Sequence, residues 1–333
     1  MPALKLARTL SLGLLAISAA ALPACAAAGE EDATTSQAAT DPSVAPYPIV
    51  LAHGFFGFKN FAGVGFINYF QGVADHLAND GETRVFTPTV DPFNDSTFRG
   101  EQLLARVEEI IRQTGAKKVN LIGHSQGGLD ARYVAHERPD LIASVTTFAT
   151  PHHGTPLSND FELIDNPFTS WWFDGAVKIL GAPLWDEIGH DTSVTKSFRQ
   201  FSSDAIDDFN ARYTDVPGIP YWSIAGRTAG VLATDACSTP NAPPWISKWN
   251  RTKDTTEIIL KVPQLLISDV HGMDNDGLIP IESAKWGTFL GCVPADHFDE
   301  IGQLFGDPPG LHNDWSYLDF YSDLVKFIRA HGL

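Results

Sequence analysis

Val119-Asn120-Leu121-Ile122-Gly123-His124-Ser125-Gln126-Gly127-Gly128 is the stretch that most narrows what this chain can fold into. A short apolar run of strand character ends in Gly123, and helical spacing resumes from Gly128 to His136, so a serine occupies a strand-to-helix corner. Gly123-His124-Ser125-Gln126-Gly127 is G-x-S-x-G. At such a corner the serine backbone is strained, and the flanking glycines let strand and helix pass without side-chain clashes. The strain pushes Ser125 Oγ outward at a helix N-terminus, where the N–H of Gln126 can donate to a developing oxyanion. A helix-capping serine is the structural alternative; the strand-turn-helix setting favours a nucleophile.

The rest of the chain supplies a scaffold for that corner. "YPIVLAHG", "KKVNLIGHS", "IASVTTFATPHHG" and "IPYWSIAGR" contain apolar strand-like runs. "GEQLLARVEEIIRQTG" places Leu103, Leu104, Val107, Ile110 and Ile111 on one helical face. Strands alternating with helices predict an α/β fold with a mostly parallel sheet covered on both faces. No repeat or second linker interrupts the chain after residue 46, so residues 46–333 are read as one catalytic domain. At 333 residues and 44% hydrophobic content, such a core can be buried. Lys+Arg of 23 against Asp+Glu of 40 gives −17, which opposes binding to nucleic acid and to anionic membrane surfaces.

The first residues read as an address. Lys5 and Arg8 precede an apolar run from Leu10 to Leu22, shorter than the roughly 20 residues of a membrane span, and small residues follow at 24–28. Residues 1–28 are therefore predicted to be a signal peptide. Leu22-Pro23-Ala24-Cys25 is also similar to a bacterial lipoprotein box, with Pro23 departing from that pattern, so release and lipid anchoring through Cys25 both stay open. Residues 29–45, rich in Glu, Asp, Thr, Ser, Ala and Pro, predict a flexible tether. Export permits the two remaining cysteines, Cys237 and Cys292, to form a disulfide.

A serine nucleophile needs partners. "VLAHGFFGF" ends a strand at His53-Gly54 and can turn the N–H of Phe55 toward Ser125 as a second oxyanion donor. The order Ser, acid, His expected for such a sheet leaves two acids, Asp274 and Asp276, in "GMDNDGLIP". His297 in "PADHFDEIGQ" and His312 are the candidate bases; His271 precedes the acid. The aromatic segment around Trp171, Trp172, Phe173, Ile179, Leu180 and Trp185 predicts either an ordinary core helix or a lid, at about residues 160–200, that opens onto a lipid surface.

"IVLAHGFFGF", "RGEQLLARVEEI", "KVNLIGHSQGG", "RPDLIASVTTFATPHHGT", "NDGLIP" and "HFDEIGQLFG" together resemble the secreted bacterial triacylglycerol lipases of family I, from about Tyr47 to Gly306. The resemblance implies an α/β-hydrolase fold with a helical lid and assigns Ser125 as nucleophile, Asp276 as acid and His297 as base, with the Phe55 and Gln126 amides forming the oxyanion hole. Where relatives often carry a second histidine after the serine, this chain has Gln126. The resemblance further implies a structural Ca²⁺ held by Asp299, by the carbonyls of Gln303 and Asp307, and by a second carboxylate, for which Asp254 and Asp269 compete; hard oxygen ligands suit that ion. It implies lipid or ester substrates at an oil-water interface and, as for many relatives, a dedicated lipase foldase as partner. A short-chain carboxylesterase, a polyester depolymerase and a non-catalytic calcium-dependent binding module are the alternatives. The interval "IESAKWGTFLGCVPAD" departs from the family pattern and puts the family's disulfide position in doubt.

Overall fold

The computed structural model describes residues 44–55, 57, 68–159, 198–228, 235–249, 252–303, 309–310 and 312–333. The predicted signal peptide, all but the last two residues of the tether, the lid residues 160–197 with their six aromatic and aliphatic candidates, and Asp307 lie outside the described residues. No described helix is long and apolar enough to cross a membrane.

Six strands form one sheet: β1 (Ile49–Ala52), β2 (Val85–Phe86), β3 (Val119–His124), β4 (Ile142–Phe148), β5 (Tyr221–Gly226) and β6 (Thr288–Val293). Their order is β2-β1-β3-β4-β5-β6, and every neighbouring pair is parallel. Parallel strands need both faces covered, which explains why they read as near-continuous apolar runs. Alternate residues divide between two cores. Ile49, Leu51, Ile122 and Ile224 pack with helix α1 (Val73–Asn79) and the C-terminal helix, while Val50, Leu121 and Val145 face helices α2 (Ser96–Thr114) and α3 (Gln126–Glu137).

The predicted strands and α2 form where the patterning placed them. Helix α2 starts two residues after Asn94, because the Asp95 carboxylate accepts from the N–H groups of Thr97 and Phe98, and it ends at Gly115 with φ 70°. Helix α3 begins at Gln126, two residues earlier than periodicity suggests. Its first turn holds two glycines, which periodicity scores as breakers, because a Cβ on Gly127 would lie 2.1 Å from the Ala52 carbonyl oxygen. The C-terminal helix α4 (Tyr317–Ala330) starts with the Ser316 hydroxyl accepting from Asp319 N–H. The short β2 and the edge strand β6 escaped the patterning; β6 falls within the interval that departs from the family. Its Cys292 bonds to Cys237 across a Cα–Cα distance of 5.3 Å.

After β1 the chain builds β2 on one side, then returns to place β3 on the other. The connections leaving β1 and β3 therefore run to opposite faces, opening a crevice at the carboxyl ends of these two strands. His53-Gly54 and Ser125 sit at those ends.

Candidate active site

Ser125 has φ 55° and ψ −131°, a backbone region that L-residues avoid. Such a conformation costs about 1–3 kcal/mol. Burial of Leu121 and Ile122 in β3, each completely buried, offsets it at about 1.5–3 kcal/mol per side chain. The Ser125 N–H donates to the Phe148 carbonyl (2.9 Å) and its own carbonyl accepts from Gly128 N–H (3.1 Å), so the corner is held on both sides. Gly123 is required because its Cβ would meet the Gly127 carbonyl oxygen at 2.4 Å.

The β1 turn lies against this corner. A Cβ on Gly54 would be 2.6 Å from Ser125 Cβ and 2.6 Å from the Tyr69 hydroxyl, which makes glycine necessary and places the Gly54-Phe55 peptide beside the serine. His53 braces the turn from within: Nδ1 donates to the Gly54 carbonyl (2.9 Å) and Nε2 accepts from Val90 N–H (3.0 Å). That pattern needs a neutral ring. Burial, and secondarily the Arg99 guanidinium, lower the His53 pKa to about 3.

Asp274 and Asp276, which residue pattern leaves equivalent and the family resemblance resolves toward Asp276, separate in space. Asp274 pairs with Arg227 at 3.0 Å, both buried, and its carbonyl accepts from Ile281 N–H. Asp276 accepts from His297 Nδ1 at 2.8 Å through one oxygen and from the N–H groups of Leu278 (2.9 Å) and Ile279 (2.7 Å) through the other. His297 N–H also donates to the Asp276 carbonyl, fixing the imidazole loop to the acid turn. His271 and His312 are exposed, and neither joins these groups. The His297 ring lies 4.6 Å, centroid to centroid, from His124, the residue preceding Ser125.

Behind these groups runs a buried polar chain that the sequence did not disclose. The Tyr69 hydroxyl and His124 Nδ1 are 2.7 Å apart, and His124 Nε2 and Glu300 Oε2 are 2.7 Å apart. Glu300 Oε2 also lies 3.7 Å from His297 Nδ1. Burial lowers the His124 pKa well below its usual value and raises that of Glu300 well above the carboxylate range, with Asp276 the next cause for Glu300. A neutral His124 donating from Nε2 to Glu300 leaves Nδ1 to accept from Tyr69.

A second acidic group adjoins the first. One carboxylate oxygen from each of Asp254, Asp296 and Asp299 lies within 4.8 Å of the others, and all three residues are buried. Asp254 accepts from Asp296 N–H (3.2 Å) and Gly310 N–H (2.9 Å). Asp296 accepts from the N–H groups of Phe298 and Asp299 through one oxygen and of Glu257 through the other. Burial first, then Asp296, raises the Asp299 pKa to about 10; burial raises that of Asp296 to about 6. Asp269 is exposed on a different segment, so Asp254 is the carboxylate that meets Asp299. Asp296 is a third acid that the sequence reading did not place here. Gln303 lies buried near the cluster in sequence, its side chain donating to the carbonyls of Asn68 and Tyr69.

The chain has relatives. Residues 47–186 match the α/β hydrolase fold family. A triacylglycerol lipase of Vibrio cholerae is 35% identical over 299 residues, covering 86% of both chains. One from Pseudarthrobacter phenanthrenivorans is 30% identical, covering 78% of this chain and 90% of that protein. Among solved structures, a Bacillus licheniformis lipase in mature form superposes with a TM-score of 0.54 at 20% identity, covering 84% of this chain and 91% of the other, and shows the shared fold. The sheet order, the strained serine corner and these similarities together show that the chain belongs to the bacterial triacylglycerol lipases of the α/β-hydrolase fold.

Proposed function

We propose that this carboxylic ester hydrolase cleaves long-chain acylglycerols through an acyl-enzyme on Ser125. His297, oriented by Asp276, takes the Ser125 proton as Oγ attacks the ester carbonyl. The negative oxygen that forms is received by the Phe55 and Gln126 N–H groups, and the alcohol departs with the proton from His297. Water, deprotonated by His297, then attacks the acyl-enzyme, and Ser125 recovers its proton as the fatty acid leaves. The observation that carries this reading is the 2.8 Å Asp276–His297 pair, held beside the residue that precedes a serine with φ 55°.

The Vibrio and Pseudarthrobacter relatives are named triacylglycerol lipases, which supports the substrate class. A short-chain carboxylesterase or polyester depolymerase would use the same groups. Rates on emulsified trioleoylglycerol and on soluble 4-nitrophenyl butyrate distinguish them: the proposal expects the emulsion to be turned over faster, and activity on the short ester alone would overturn it. Ser125→Ala should fold as the parent does and lose roughly 10⁵–10⁶-fold in kcat on both substrates. A variant that kept its activity would remove Ser125 from the mechanism.

The Asp254–Asp296–Asp299 group fits a hard divalent cation, because it offers buried carboxylate oxygens with no sulfur or imidazole, and no ion pair among the described residues offsets them. In this reading Ca²⁺ is held by Asp254, Asp299 and the carbonyls of Gln303 and Asp307. The ion supplies the positive charge that lets these acids ionise together. Asp299 follows His297 by two residues, so the ligands anchor the segment that carries the base. Export, followed by release or by anchoring at Cys25, and assistance from a lipase foldase complete the proposal; both rest on the leader sequence and the family.

A further inference from the structure

Arg99 takes no part in the chemistry above, yet its side chain is completely buried and reaches both sides of the serine corner. It sits in the first turn of α2. Its Nε donates to Asp130 Oδ2 at 2.9 Å and its Nη1 to the Asp91 carbonyl at 2.5 Å. Nη2 donates to the His53 carbonyl at 2.6 Å and lies 2.8 Å from the Asp130 carboxylate. The His53 carbonyl opens the turn that presents the Phe55 N–H. Asp130 lies four residues after Gln126 on α3, one helical turn below the other amide.

A second set of bonds closes the arrangement. The loop that Arg99 grips at Asp91 also donates Val90 N–H to the His53 ring, and its Asn94 carbonyl accepts from Gln126 Nε2 at 2.6 Å. The loop between β2 and α2 is thus tied to the β1 turn at one end and to the α3 N-terminus at the other. Arg99 bonds all three elements at once: the loop, the β1 turn and α3.

We propose that Arg99 is a positioning residue that fixes the β1 turn and the α3 N-terminus relative to one another, and so sets the separation of the two oxyanion-hole amides. The proposal rests on the reading in which the Phe55 and Gln126 N–H groups form that hole. Stability alone gives little reason for the arrangement, since a buried ion pair roughly breaks even against well-packed apolar residues. Geometry gives one. The guanidinium spreads five donors over three nitrogens in one rigid plane, so Nε, Nη1 and Nη2 each reach a different element, whereas lysine holds its three donors on a single nitrogen.

The test uses the full chain with Arg99→Lys and Arg99→Met, and reads kcat and KM on 4-nitrophenyl butyrate together with Ki for an alkylboronic acid. That inhibitor adds reversibly to Ser125 Oγ, giving a tetrahedral boronate whose oxygen occupies the hole. An amide displaced by about 1 Å should cost on the order of 100-fold. Arg99→Lys should therefore lose about that factor in kcat with KM changed less than about threefold, the boronate Ki should weaken in parallel, and Arg99→Met should lose more. A rise in KM alone, or a loss of kcat that only follows the folded fraction while Ki per folded molecule stays constant, would overturn the proposal. Should both variants fail to fold, Asp130→Asn keeps the Arg99–His53 bond and removes the charge clamping it to α3. Parallel losses in kcat and boronate affinity support the brace there, and unchanged values overturn it. A wild-type protein that the boronate did not inhibit would instead sink the catalytic reading itself.

Discussion

Two groups of buried carboxyls meet at the loop after β6, which brings His297 to Asp276 and Asp296 and Asp299 to Asp254, and they solve burial in opposite ways. Asp276 receives three donors, two backbone N–H groups and the His297 imidazole, so each oxygen is compensated inside the protein. Asp254 and Asp296 receive backbone donors too, yet the three acids face one another, and burial plus mutual repulsion raises the Asp299 pKa to about 10. The residue types are identical. What differs is whether the opposing group is a proton-bearing ring or another acid, and the contrast is why the proposal gives the first group an imidazole to orient and the second a cation to hold.

The largest expected effect breaks the first group. Asp276→Asn should leave the fold intact and lower kcat on 4-nitrophenyl butyrate by about 10⁴-fold, because the amide cannot hold the imidazole in the required tautomer. Retention of more than a tenth of the activity would mean that the pair seen here does not orient the base.

The second prediction reverses sign between conditions. With calcium at about 100 times its dissociation constant, bound ion should stabilise the folded chain by about 2.7 kcal/mol, so chelation should lower the melting temperature by several degrees. Asp299→Asn should abolish that response. In chelator, however, the variant should melt higher than the wild type. A carboxyl whose folded pKa is raised contributes stability fully below its unfolded pKa of about 3.8 and loses it as pH rises toward about 10. The variant's advantage should therefore be absent near pH 4 and grow toward pH 9. Melting curves at several pH values, with and without chelator, check both statements; a wild type indifferent to chelation would remove the ion from the proposal.

The smallest effect sharpens the boundary between the groups. Glu300 touches both, yet burial raises its pKa well above the carboxylate range, which leaves it a neutral hydrogen-bonding group against His124. Glu300→Gln preserves that shape and neutrality, so kcat should fall less than about tenfold, far less than for Asp276→Asn. Equal losses in the two variants would make Glu300 a charged partner of His297 and merge the groups.

Much of this was legible in the sequence because it depended on local chemistry. The apolar runs of β1, β3, β4 and β5, the helical face of α2 and the G-x-S-x-G corner all follow from short-range patterning. The two-residue β2 offered too little periodicity, and the short apolar run of β6, broken by Gly291, lay in an interval that departs from the family pattern. Partner choice was not legible in local patterning, and only the family resemblance singled out Asp276 and His297. Asp274 and Asp276 share one turn and one composition, and their partners distinguish them in space: Arg227, just after β5, for the first and His297 for the second. The sequence favours Asp254 over Asp269 with no motif to fix the choice, and folding places the first against Asp296 and Asp299 and leaves the second exposed.

The sequence by itself determined that a serine would stand at a strained turn between a buried strand and a helix, since glycine spacing and hydrophobic period act over a few residues. Only the tertiary structure decided which acid meets which base, which third acid joins Asp254 and Asp299, and that Arg99 grips both sides of the corner. Those choices depend on contacts between residues 21 (Asp276–His297), 42 (Asp254–Asp296) and 46 (His53–Arg99) positions apart, and no local rule encodes such distances.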